Sequence, residues 1–305
     1  MSRLAHIAGS LVLILALSYL FGESILSGPL RGNDSPLHVG YAEWLDRYFP
    51  SLPHWYPLQG GGESLLHGYP IVPHLAVVLL HRLSRLSILQ AYRLISFLTF
   101  PLLAFSLYLF VWDFFKKQTL GLVAALFYLL APVSWTWIYD WGFFSQQVGL
   151  VFLPLALAAF SHTLQAQLDK RQSGRGRIWF VLLAGIMIAA SLCHMLISAA
   201  AAVGMAAFTL LAVVVHRGSG RRRLLRGGAK IILLLGVITG LTLAMYLIPF
   251  YRYGGVANRE GLNTPPVHQL HRLPIAEFFG FRQIGELEIL TRMQFPLVVT
   301  ALAAV

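Results

Sequence analysis

The chain has 305 residues, of which 57% are hydrophobic and 11% are charged, with a mean hydropathy of +0.69 and a formal net charge of +11. This composition is too apolar for a soluble domain, and its continuous apolar runs favour membrane-spanning helices. The single cysteine, Cys193, excludes an internal disulfide framework and a cysteine-based metal cluster. We therefore predict an all-α, polytopic helical membrane protein.

The apolar runs predict about eight spans in one transmembrane domain covering residues 1–305. The first run, residues 4–21, follows Arg3 and lacks a good cleavage site after it, so we interpret it as an uncleaved helix rather than a signal peptide. The next spans are predicted at residues 91–112, 120–135, 148–160, 179–192, 197–215 and 231–249. The last run, residues 295–305, is too short to cross a bilayer, so we expect a longer complete protein.

A long polar loop, residues 22–90, follows the first span. Within it, residues 71–86 predict a helix that lies on the membrane surface, because His74, His81 and Arg85 share one face at helical spacing. A short membrane crossing is the alternative interpretation. It would reverse the sidedness of every later span, and the charge distribution argues against it.

The distribution of charge predicts which side each loop faces. The short loops on one side hold more than half of the 23 lysine and arginine residues, but only Asp113 and Asp169 among the 12 acidic residues. Dense basic residues in short loops mark the cytoplasmic side. The N-terminus is therefore predicted to be cytoplasmic, and the long loops at 22–90 and 250–292 face outward. This pattern explains the net charge without a nucleic-acid partner, and membrane lipid is the expected contact.

Short motifs along the chain carry a family resemblance. The first outer loop contains Asp34-Ser35-Pro36-Leu37-His38, and Gly68-Tyr69-Pro70 stands just before the predicted surface helix. Further motifs are Ala91-Tyr92-Arg93, Tyr108-Leu109-Phe110, Leu126-Phe127-Tyr128-Leu129-Leu130-Ala131-Pro132, Phe152-Leu153-Pro154-Leu155 and Cys193-His194-Met195-Leu196. Together they resemble the GT-C superfamily of membrane glycosyltransferases, most closely the membrane proteins labelled 6-pyruvoyl-tetrahydropterin synthase-related.

The resemblance implies a GT-C-like bundle with juxtamembrane helices in the first outer loop. It implies an enzyme that takes sugars from a polyprenyl-phosphate carrier on the outer face of a prokaryotic plasma membrane. The chain departs from these relatives at Gly142 and Gln146, where they commonly have a glycine followed four residues later by glutamate. No metal ligands are predicted and no cofactor is certain, and a divalent metal ion stays an open alternative.

Three residues are predicted to act in catalysis. Sugar transfer needs a base that takes a proton from the acceptor hydroxyl, and Asp34 is the candidate, although Asn-Asp-Ser-Pro is also a good turn or cap sequence. His38 can orient this acid if a helix begins between them, or it is a solvated loop histidine. Asp140 lies between Trp137 and Trp141, which suit stacking against a sugar ring and are equally typical of membrane interfaces.

Five further residues are predicted to bind substrate: Arg93, His194, Tyr69, Trp141 and Gln146. Arg93 opens the second span and can hold the carrier phosphate, or it snorkels to lipid headgroups. His194 either lines a cavity or forms a helix–helix hydrogen bond. The preferred function is a glycosyltransferase that uses a polyprenyl-phosphate sugar donor. The alternatives are a transporter or flippase of lipid-linked sugars and a non-catalytic scaffold, and the oligomeric state is not predicted.

Overall fold

The computed structural model describes residues 3–53, 55–56, 63–64, 71–166, 173–216 and 220–249. The helices, in chain order, are α1 (Arg3–Ser27), α2 (Ser35–Tyr48), α3 (Val72–Ser84), α4 (Ile88–Phe115), α5 (Gln118–Leu130), α6 (Pro132–Thr136), α7 (Phe144–Leu150), α8 (Phe152–Ala166), α9 (Ser173–Cys193), α10 (Met195–Val215) and α11 (Gly220–Pro249). A π-helical turn, Trp137–Trp141, follows α6, and β1 (Trp55–Tyr56) pairs antiparallel with β2 (Glu63–Ser64). The predicted helical class is confirmed.

Among the described residues, six segments are long and apolar enough to cross a membrane: α1, α4, Phe144–Ala166, α9, α10 and α11. A seventh candidate joins α5 to Pro132–Trp141 across a bend of 57°. The bend lies where Ala131 takes extended backbone before a proline, which disfavours continued helix. The protein is thus an integral membrane protein by composition and helix length. Each predicted span up to residue 249 falls within one of these segments, and the predicted eighth span lies outside the described residues.

The loop between α1 and α4 contains two helices, α2 and α3, that pack on each other and on α4. The side chains at the centre of this packing are Tyr41, Leu45, Val77, Val78 and Tyr92, all nearly or completely buried. At the surface, Arg82 Nε donates to Asp46 Oδ1 at 2.7 Å. Because this ion pair is partly exposed, it stabilises the fold by less than about 1 kcal/mol. The apolar contacts therefore hold α2 and α3 in place.

Helix α3 occupies the position of the predicted surface helix, and His74 and His81 share a face as predicted, but this face packs against α2 instead of facing solvent. His74 is 1% exposed, whereas Leu79 and Leu83 are 45% and 84% exposed. Arg85 lies beyond the helix end with left-handed backbone at φ 62°. The spacing of His74, His81 and Arg85 did identify a periodicity, but α3 turns His74 towards α2 and presents leucines outward.

Candidate functional site

The loop after α1 is bonded to the π-helical turn after α6. Asn33 N donates to the Asp140 carbonyl oxygen at 3.2 Å, and Asp34 N donates to the Trp141 carbonyl oxygen at 3.0 Å. The Tyr139 hydroxyl donates to the carbonyl of Phe21 on α1 at 2.9 Å. These bonds bring the backbone segments of Asp34 and Asp140 together at one end of the helical bundle.

Two glycines permit this close approach. Gly32 and Gly142 have positive φ angles of 87° and 73°. A Cβ atom at Gly32 would lie 2.5 Å from the Ile138 carbonyl oxygen, and one at Gly142 would lie 2.7 Å from Ser35 N. Real Cβ contacts are not that short, and only glycine adopts this backbone without strain. The contact between loop and turn therefore depends on both glycines.

Asp34 occupies the N-cap position of α2, but its side chain makes no cap hydrogen bond. The carboxylate is half-buried, and this burial raises the pKa of Asp34 above its usual value. The sequence left two interpretations of Asp34 open: a turn or cap residue, or a catalytic base. By position Asp34 is a cap, yet its carboxylate is not used by the helix that it precedes. A partly desolvated carboxylate without a cap bond is suited to accept a proton.

Two residues of α4 support the loop from inside the bundle. The Tyr92 hydroxyl donates to Ser35 Oγ at 2.9 Å. Arg93 Nη2 donates at 2.7 Å to the carbonyl of Gly28, just past the end of α1. Arg93 is half-buried, and its Nε is buried without a hydrogen-bond partner in the described part of the chain. Arg93 therefore ties α1 to α4, and its predicted phosphate contact stays a prediction.

A small cavity with both apolar and polar lining lies beneath the loop. It is lined by Ser24, Arg31, Ser35, Tyr92, Arg93 and Ser96 among others, and its volume is about 20 Å³. This is room for about one water molecule, and a phosphate group does not fit without local opening. Ser96 Oγ is fully buried there with no partner among the described residues. The cavity is therefore a hydrogen-bonding space next to two arginines.

His38 and His74 form a buried pair behind the loop. His38 Nδ1 lies 3.0 Å from His74 Nε2, and the two rings stack with centroids 5.2 Å apart. Burial lowers the pKa of His38 to about 4, against the opposing effect of a hydrogen bond with the Gly142 backbone. His38 is thus neutral at neutral pH. It is 0% exposed, so the solvated-loop interpretation is wrong, and the geometry favours a positioning role over contact with substrate.

Asp140 is exposed at the edge of an open groove of about 370 Å³. The groove wall is mostly apolar and includes Phe21, Leu130 and Trp135. Trp141 is half-buried, and its ring stacks on the ring of Phe143 with the two centroids 5.8 Å apart. Asp140 and this groove are accessible from the same end of the bundle as Asp34. The arrangement can bind polar hydroxyl groups beside an apolar surface.

The remaining predicted site residues are more scattered. Gln146 is half-buried on α7, whereas its neighbour Gln147 is buried and donates to the Tyr128 hydroxyl at 2.9 Å. His194 lies at the break between α9 and α10, and its Nδ1 is buried without a partner among the residues described. Among the described residues, no hydrogen bond or ion pair joins His194 to the Asp34 loop, so a shared site stays a prediction. Tyr69 lies outside the described residues.

Comparison with known proteins assigns the chain to a family without assigning a function. A family profile matches residues 30–265, which is more than half of the chain. The chain belongs to a family of unknown function, DUF6541. No curated protein and no solved structure matches it. The matched region includes both the Asp34 loop and the Asp140 turn of this DUF6541 protein.

Sequence reasoning missed three supporting residues of the site in this DUF6541 protein: His74, Ser35 and Tyr92. Each acts through a partner more than 30 positions away, and no local pattern indicates such a partner. The one usable signal was Gly142, because a glycine after an aromatic turn predicts a close backbone approach. Within the described ranges, no group of three or more His, Cys, Asp or Glu side chains is arranged to hold a metal ion.

Proposed function

We propose that this DUF6541 protein is a membrane glycosyltransferase. It transfers a sugar from a polyprenyl-phosphate carrier to an acceptor hydroxyl on the outer face of a prokaryotic plasma membrane. The observation that carries the proposal is the pair of backbone hydrogen bonds between the Asp34 loop and the Asp140 turn. Through them, the backbone segments that carry Asp34 and Asp140 meet at one end of an apolar bundle, beside the cavity that Arg31 and Arg93 line. The GT-C-like motifs of the same loop support this interpretation.

Asp34 is the proposed base. It takes the proton from the acceptor hydroxyl as the hydroxyl oxygen attacks the anomeric carbon of the sugar. The bond from that carbon to the carrier phosphate breaks, and the phosphate leaves with the electron pair. This leaving group needs cationic stabilisation rather than protonation. Arg31 is exposed beside the loop and supplies it, whereas Arg93 contacts the phosphate only when the cavity of about 20 Å³ that it lines opens. Asp140, beside its groove, accepts hydrogen bonds from sugar hydroxyls, while His38 and His74 position α2.

A transporter or flippase of lipid-linked sugars is the second candidate. One observation favours it: the span from α5 to Trp141 is bent by 57° and contains a π-helical turn. Interrupted helices are typical of transporter binding sites near the middle of the membrane. The carboxylates and arginines of this site lie at the end of the bundle instead, which favours the enzyme.

A donor assay separates the two functions. Full-length protein in proteoliposomes is incubated with radiolabelled polyprenyl-phosphate sugars and with membrane extract as the source of acceptor. We expect labelled sugar to leave the carrier and free polyprenyl phosphate to accumulate. Liposomes without protein are the control. Movement of the intact donor across the bilayer, with no cleavage from any donor, would contradict the enzyme and support the flippase.

Sidedness is tested by cysteine labelling in a Cys193→Ser background. Asn33→Cys and Lys117→Cys introduce exposed thiols at opposite ends of α1 and α4. We expect a membrane-impermeant maleimide to label Asn33→Cys in intact cells, and Lys117→Cys only after permeabilisation, because basic short loops stay in the cytoplasm. The reverse pattern would place Asp34 on the cytoplasmic side and rule out transfer on the outer face.

A further inference from the structure

A large groove lies at the end of the bundle opposite the Asp34 loop. It has a volume of about 760 Å³ and runs between α9 and α11, with α8 beneath. Small residues on its floor leave the space open: Ala166, Gly176 and Gly227. Helices α8 and α9 approach closely there: a Cβ atom added at Gly176 would lie only 2.8 Å from the Cβ of Ala166. The groove is therefore a product of helix packing.

Three cations surround the groove: Arg177 on α9, and Arg223 and Lys230 on α11. All three side chains are exposed, and no acidic residue lines the groove in the part of the chain that the structure describes. None of the three forms a hydrogen bond or ion pair with another described residue. Like charges held together repel, and a bound anion removes that repulsion. The charge of the groove thus selects an anionic ligand.

The walls of the groove are apolar. They are formed by Phe180 and Val181 on α9 and by Ile231 and Leu234 on α11. Val181 is 69% exposed and Leu234 is 42% exposed, so the wall opens sideways, towards the surroundings of the helices. Both helices are candidate membrane spans, so those surroundings are lipid. The groove thus combines cations at one end with an apolar side opening, which matches an amphiphile with an anionic headgroup. A free anion would use the cations and leave the apolar walls unused.

We propose that this groove binds one anionic membrane phospholipid. Its phosphate pairs with Arg177, Arg223 and Lys230, and an acyl chain lies along Val181 and Leu234. Basic pockets between membrane helices are suited to such headgroups, and each guanidinium donates paired hydrogen bonds to phosphate oxygens. This assignment is independent of the glycosyltransferase function. The bound lipid joins α9 to α11 at the end of the bundle predicted to be cytoplasmic.

A pair of charge-matched triple variants tests the assignment. The groove variant carries Arg177→Gln, Arg223→Gln and Lys230→Gln. The control variant carries Arg175→Gln, Arg222→Gln and Arg226→Gln, which removes the same charge from exposed positions on the same two helices outside the groove. Full-length proteins in detergent are titrated with phosphatidylglycerol or phosphatidylcholine. Bound lipid is counted by native mass spectrometry, and thermal unfolding is measured in parallel.

We expect one phosphatidylglycerol to bind wild type and control, to raise their unfolding temperature, and to bind the groove variant at least about tenfold more weakly. A cooperative thermal unfolding transition in the absence of lipid verifies that both variants are folded. Two results would overturn the proposal: phosphatidylcholine that binds as tightly as phosphatidylglycerol, or the same loss of affinity in the groove and control variants. The first would show that the headgroup charge is not recognised, and the second would show non-specific attraction between the lipid and the basic helix ends. Displacement by inorganic phosphate would reduce the groove to an anion site. Stronger binding of polyprenyl phosphate would assign the groove to the carrier instead.

Discussion

Replacement of Asp34 by asparagine is expected to lower the rate of sugar transfer by about 10²–10⁴-fold while the protein stays folded. Asparagine has nearly the same shape, is an equally good N-cap residue and keeps the backbone bond to Trp141. It has no carboxylate to accept a proton. Because the Asp34 side chain makes no cap hydrogen bond, its replacement removes chemistry rather than support.

The matched control for this variant is Glu43→Gln, an exposed acid on the same helix, which should transfer sugar at the wild-type rate. The pH profile adds a second readout. Burial raises the pKa of Asp34, and only the deprotonated form acts as a base, so wild-type kcat/KM should fall as the pH is lowered through that raised pKa. The residual activity of Asp34→Asn should lack this decline. Transfer that survives the substitution unchanged would remove Asp34 from the mechanism.

Replacement of Gly142 by alanine is expected to destabilise the protein by about 2–5 kcal/mol and to abolish most transfer. The backbone at Gly142 has φ 73°, which costs a residue with a Cβ about 1–2 kcal/mol. The added methyl group would also lie 2.7 Å from Ser35 N and 2.8 Å from Ser35 Oγ, and such overpacking typically costs about 1–3 kcal/mol. The loop must therefore move away from the turn, and Asp34 moves with it.

Thermal unfolding in detergent and the transfer rate measure the two parts of this prediction. The control is Gly236→Ala on α11, because a Cβ there meets nothing within 4 Å and alanine favours helix. We expect this control to be neutral or slightly stabilising. An unfolding temperature for Gly142→Ala equal to that of wild type would show that the contact between loop and turn is not tight.

Much of the fold could be predicted from the sequence because a membrane span is a local property. Every backbone group of a span is satisfied within its own helix, so a long apolar run suffices to locate it. The start of α2 was also local: a helix that begins between Asp34 and His38 was one of two alternatives, and α2 does begin at Ser35, with a proline in its first turn. The break at Ala131 has a local cause too, although one continuous span was predicted there.

The candidate site depended on the tertiary structure. The sequence by itself determined the helical class, the order of the apolar segments and the presence of Asp34 ahead of a helix. Only the packing of distant segments decided that the Asp34 loop meets the Asp140 turn, that His38 faces His74, and that three cations border one groove. These contacts join helices far apart in the chain. Their side chains meet according to how each helix is rotated, and local periodicity does not specify that rotation.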